Sequence, residues 1–271
     1  MGKRSARTTA KQVRKKPAPR KRIARARLWN WVDVAWVAVM LLIAKVFTIL
    51  TLGHRFTALM PVEGVVGVRV ALLIVLYLVI LMVLAYRAHC RNLSFVDAYR
   101  LRPDSRVSAL TDISKSDSKK YFSAWKSVLM VVTFFVVLRT FAIIYTYVTR
   151  ELGWVTPPSE SLTDLFGASV FGLAAAIISI VILAPFIEEL VFRVIMFDTF
   201  VRSMAIAFAV ILQGLIFALY HFSLWAAIPN FLLALACVYL IQKCKTSLPA
   251  ITLHVLYNAA VVAAAFYLAM V

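Results

Sequence analysis

Glu188 and Glu189 stand side by side in an apolar stretch, Ile187-Glu188-Glu189-Leu190-Val191-Phe192-Arg193. An ionisable group at the centre of a membrane span costs about 2.5–3.5 kcal/mol on insertion scales, and such groups mark function by default. Glu189 and Arg193 are four residues apart, on one helix face, and able to pair. Glu188 is turned away by about 100°, so that pairing leaves it free for other work. Two further segments carry matching chemistry. His221 ends Phe217-Ala218-Leu219-Tyr220-His221, with Phe217 one turn earlier on the same face. His254 and Asn258 are four apart in Leu253-His254-Val255-Leu256-Tyr257-Asn258 and face the same way. The chain has four histidines, and two of them fall in apolar runs of the half that holds the diacid.

Glu, His, His and Asn are the parts of a hydrolytic site. A desolvated carboxylate can take a proton from water. One histidine can orient that water or carry the proton. A second histidine and an asparagine can donate to a developing oxyanion. Glu188, His221 and His254 can equally hold a divalent metal such as zinc, with a position left for water. The zinc signature H-E-x-x-H does not occur in the sequence.

The elements that must position these groups are long and apolar. Runs fall at about Trp31–Leu52, Val65–Tyr86, Val128–Val148, Leu165–Met196, Met204–Phe222, Ala226–Ile241 and Pro249–Met270. The expectation is an all-α, polytopic bundle of about seven transmembrane helices after a disordered basic tail. Trp29, Trp31, Trp125, Trp154 and Trp225 lie near run ends, where interfacial aromatics are expected. The fourth run is too long for one span, roughly 48 Å at 1.5 Å per residue, and Pro185 within it predicts a kink or break. Straight helices do not bring the site to one depth. A turn near Arg202–Met204 leaves Glu188 and His221 about 21 and 28 Å from it, whereas His254 is only about 10 Å beyond the Lys245–Ser247 turn. Tilt, an extension beyond the membrane, or a cavity is required.

Composition agrees with a membrane protein: 63% of residues are hydrophobic and 15% charged, with a mean hydropathy of +0.88. A soluble domain is about 45–50% apolar and about 25% charged. The net charge of +18 is concentrated beside spans: twelve of the thirty Lys/Arg lie in residues 3–27, and nine in Arg87–Lys126. That distribution implies retention on the cytoplasmic side and attraction to anionic lipid rather than nucleic-acid binding. Thr149–Asp164 holds one Arg against three acids, and Lys243 and Lys245 follow the sixth run. The N-terminus is therefore expected in the cytoplasm and the C-terminus outside a plasma-membrane protein. The first run reads as a retained span, since no small-residue cleavage site follows it. Cys90, Cys237 and Cys244 have neither C-x-x-C spacing nor a disulfide pattern. Three parts are expected: a basic cytoplasmic tail (1–28), a three-span region (29–164) and a catalytic core (165–271).

The three segments together resemble the CPBP family of intramembrane endopeptidases, the CAAX prenyl protease type 2, Abi and bacteriocin-processing group. Its motifs E-E-x-x-x-R, F-x-x-x-H and H-x-x-x-N/B are present as Glu188-Glu189…Arg193, Phe217…His221 and His254…Asn258, in family order. The stretch Lys245-Thr246-Ser247-Leu248-Pro249-Ala250 is also similar to the family's small-residue turn into its last span. The resemblance covers about Leu165–Met270. It implies an endopeptidase acting on a peptide or membrane-protein substrate, with Glu188 and His221 activating water and His254 and Asn258 forming an oxyanion hole. Glu189, Arg193 and Phe217 would support them, in either a glutamate-type or a metal-dependent mechanism. The rival readings are a non-enzymatic scaffold or immunity protein and, with a broken span and buried Glu and His, a transporter. The sequence leaves substrate and oligomeric state open.

Overall fold

The computed structural model describes residues 29–52, 62–102, 123–154 and 162–270. The basic tail of residues 1–28 and much of the two charged connections lie outside these residues. All regular structure among the described residues is helical. In chain order the helices are α1 (Trp31–Leu52), α2 (Val62–His89), α3 (Phe95–Ala98), α4 (Ala124–Glu151) and α5 (Leu162–Phe166). They continue as α6 (Val170–Ser203), α7 (Ile206–Tyr220), α8 (Leu224–Cys244) and α9 (Leu248–Met270). Each expected apolar run thus becomes one principal helix. Five of them, in α2, α4, α6, α8 and α9, are long and apolar enough among the described residues to cross a membrane. α7 has only 15 residues, about 22 Å.

The fourth run departs from expectation in two ways. Its start is cut away as α5, because Gly167 takes a left-handed turn at φ +79° and Ser169 caps a new helix by accepting from Gly172 N at 3.1 Å. Gly172 lies so close beneath the carbonyl of Gly167 that a Cβ there would sit 2.1 Å from it. The helix is also not broken at Pro185. It runs 34 residues and accommodates the proline with π-helical windings on both sides, Ile177–Leu183 and Glu189–Met196.

Contacts assign the helix ends to two sides. At the basic end, Asp33 of α1 pairs with Arg87 and Arg91 at the close of α2. Asp198 near the end of α6 pairs with Arg100 just after α3. Ser127 at the start of α4 lies 3.4 Å from Cys244 at the end of α8. At the opposite end Val66, Phe166, Leu173 and Phe266 share one cluster. The largest core joins α1, α2, α6, α7 and α8 around Ile80, Leu84, Ile187, Phe192 and Phe217. Most large apolar side chains outside it, such as Val132, Ile143 and Phe208, are exposed, as expected of helices whose outward faces meet lipid tails. Trp31, Trp125 and Trp154 are exposed near helix ends. Trp29 differs: it is buried, stacked on Tyr99 at 5.3 Å and covered by the guanidinium of Arg91.

Candidate active site

The position of Glu188 follows from the winding of α6. In the π-helical turn before it, Ala184 N donates five residues back to Ser179 O. The same register would give Ile180 O to residue 185, but that residue is proline and has no N–H. The stranded carbonyl of Ile180 accepts instead from Asn258 Nδ2 at 2.9 Å. A defect in one helix therefore anchors the motif residue of another. π turns occur frequently at functional sites, and here they flank the diacid.

Glu189 is fully buried and divides its carboxylate between two partners. Its Oε2 lies 3.2 Å from Arg193 Nε, the expected (i, i+4) pair. Its Oε1 accepts from His254 Nδ1 at 2.8 Å. With Nδ1 carrying that proton, His254 Nε2 is left to face Glu188 Oε2 at 3.7 Å. Glu188 keeps some exposure, 12% of its side chain against none for Glu189. The two carboxylates thus separate as the spacing predicts, one locked into structure and the other open at the site.

Phe217 ties the three segments together from α7. Its ring lies 4.0 Å from the Arg193 guanidinium carbon, a close cation–π contact. It meets the His221 and His254 rings edge-on at 4.8 and 5.6 Å between centroids. His221, at the end of α7, donates from Nδ1 to the carbonyl of Phe217 at 2.9 Å. In the neutral ring that hydrogen bond makes Nε2 the acceptor. Glu188, Glu189, Arg193, His221, His254 and Phe217 are thus joined by a chain of contacts, while Asn258 is held to α6 at Ile180.

His254 reaches the diacid directly, and two features bear on how the depths are matched. The turn between α6 and α7 falls at Met204–Ala205, sixteen residues after Glu188 and sixteen before His221, so equal lengths of chain separate the two from it. The turn into α9 does not sit at that level. Ser247 donates from Oγ to Tyr99 O at 2.5 Å and from N to Arg100 O at 2.9 Å, while Thr246 Oγ1 donates to Arg100 O at 2.9 Å. The side chain of Arg100 holds Asp198. The α9 turn is therefore drawn in to the depth of Asp198, and both turn residues are buried. Of these residues, the sequence reading singled out only the Thr246-Ser247 turn; Arg100, Tyr99 and Asp198 carried no signal in the spans.

Among the described residues no group of three or more His, Cys, Asp and Glu is arranged to hold a metal ion. The three cysteines are all free thiols. A cavity of about 210 Å³ opens at the basic end between α1 and α2, beside Asp33, Trp36 and Arg87. It receives none of the motif side chains.

No curated protein and no solved structure matches the chain. A family model described as Rce1-like, type II CAAX prenyl endopeptidase, matches residues 170–260, roughly a third of the sequence. That stretch contains all seven motif residues, and over it the chain is similar to the Rce1-like, type II CAAX prenyl endopeptidases.

Proposed function

We propose that the protein is an intramembrane endopeptidase in which Glu188 and His221 activate water and His254 and Asn258 stabilise the oxyanion. The observation that carries this reading is the division of labour within the diacid. Glu189 is bonded to His254 and Arg193, which leaves Glu188 as the carboxylate able to meet a water.

Glu188 takes a proton as the water oxygen bonds to the scissile carbonyl carbon, while the lone pair of His221 Nε2 accepts from the water's second hydrogen and holds it in line. The carbonyl π electrons become an oxyanion. Asn258 has a second Nδ2 hydrogen beyond the one given to Ile180, and it is suited to donate there. His254 donates from Nε2 once that nitrogen carries a proton, with Glu189 holding the opposite nitrogen. Collapse of the intermediate breaks the C–N bond, and Glu188 returns its proton to the leaving amine. No step needs a metal, and the donor arrangement favours this route over a zinc-dependent one.

The substrate is a peptide or a membrane-protein segment entering from the basic side. By the positive-inside rule that side is cytoplasmic, with the N-terminus inside, the C-terminus outside, and the plasma membrane as the location. The tail of residues 1–28 adds affinity for anionic lipid. The test is cleavage of a panel of peptides and co-expressed membrane proteins by the purified full chain and by Glu188→Ala, His221→Ala and His254→Ala. Each variant is expected to lose about 10²–10⁴-fold, the usual worth of a general acid or base. Three variants that cleave as fast as wild type would exclude the site. Wild-type cleavage abolished by a chelator and restored by zinc would favour the metal route.

A further inference from the structure

The site draws on side chains that lie outside the matched segment. Lys45, on α1, is fourteen residues from the start of its helix, about 21 Å along it. Its ammonium stands 5.7 Å from the centroid of the Tyr220 ring, and that ring is 5.6 Å from the ring of His221. Lys45 from α1 and Tyr77 from α2 are both electrostatic neighbours of Glu188, and Lys45 is also one of His221. Among the described residues Lys45 has neither a hydrogen-bond nor an ion-pair partner. α1 packs into the core through Val34, Val37, Leu41 and Ala44, so its docking does not need a charge here. A lysine at this depth is costly to insert.

The balance of charge says what it does. Glu189 and Arg193 neutralise each other at 3.2 Å. The other groups that face Glu188 are Tyr77 from α2, Tyr220 and His221 from α7, and His254 from α9. Lys45 is the lysine of this set, and among the described residues no acid other than Glu188 is its electrostatic neighbour. We infer that Lys45 is a positioning residue of the site, whose ammonium acts through Glu188 to orient the carboxylate and to offset the negative charge of the tetrahedral intermediate. The inference rests on the hydrolytic reading given above. It adds that the first span, and not the matched core alone, completes the site.

The test uses the full chain in proteoliposomes, with Lys45→Gln, Lys45→Met and Lys45→Arg. Loss of the charge in the first two is expected to lower kcat about ten-fold or more, a change of ~1.4 kcal/mol per ten-fold, with KM unchanged. Arginine should restore most of the rate. A raised KM with kcat intact would overturn the proposal, because the lysine would then be holding substrate. A second measurement needs no substrate: a double-mutant cycle of Lys45→Gln with Glu188→Gln, read by thermal unfolding. Coupling between the two supports the pairing, and strict additivity rejects it. If Glu188→Gln alone cleaves like wild type, the hydrolytic reading fails, whereas the cycle still decides whether the two charges act on each other.

Discussion

Asn258 shows how one amide can serve structure and chemistry together. Its Nδ2 satisfies the Ile180 carbonyl that Pro185 cannot reach, and its remaining hydrogen is the one assigned to the proposed oxyanion hole. Asn258→Ala should therefore have two separable effects. Leaving the carbonyl unsatisfied costs about 1–3 kcal/mol, seen as a lower unfolding temperature. Loss of an oxyanion donor costs about 10²–10³ in kcat. Adding Pro185→Ala to that variant restores a backbone N–H at the position whose register reaches Ile180. Stability is expected to recover in the double variant and catalysis is not. Recovery of both would show that Asn258 only braces α6. The spacing of His254 and Asn258 made the pair legible in the sequence. The backbone defect that Asn258 repairs was not legible, because it depends on π winding, which periodicity does not reveal.

At the level of elements, the segment around α3 sets the depth of the last span. Arg100 holds α6 through Asp198 by its side chain and the α9 turn by its backbone carbonyl. Both ions of the pair are buried, at 5% and 3% side-chain exposure. Removing one partner of such a pair strands the other, at a cost of about 3–5 kcal/mol. Arg100→Ala should accordingly lower stability by about that amount, measured by thermal unfolding in detergent. Arg100→Met with Asp198→Leu should recover much of it, since apolar pairs often replace buried ion pairs without loss. The apolar runs predicted the helices well, since hydropathy is a property of each segment. Relative depth could not be read in the same way. It arises from contacts between residues 98 to 147 positions apart, and Arg100 looked like one more basic residue in a charged connection.

For the molecule as a whole, the two sides of the bundle are distinguished by charge. Arg87, Arg91, Arg100 and Lys243 share the end where α2 closes and α8 ends, and positive connections face the cytoplasm. The native thiols offer a direct check. Cys90 is exposed at that end, whereas Cys237 and Cys244 are buried. A membrane-impermeant maleimide should label inside-out vesicles at Cys90 and leave right-side-out vesicles unlabelled. The Cys90→Ser variant should remove the signal. Labelling from the outer face would invert the assigned topology.

The bond between Glu189 and His254 spans 65 positions, and the anchor at Arg100 reaches forward 146 positions to Thr246. Both join early or middle segments to α9 or to the turn that leads into it. During synthesis the diacid therefore enters the bilayer with Arg193 alone, and its second nitrogen partner arrives only when α9 inserts. On the proposed function, the site thus stays incomplete until α9 has joined α6. The proposed competence then depends on α9 following α6 in the chain, so the order of translation acts as a safety catch.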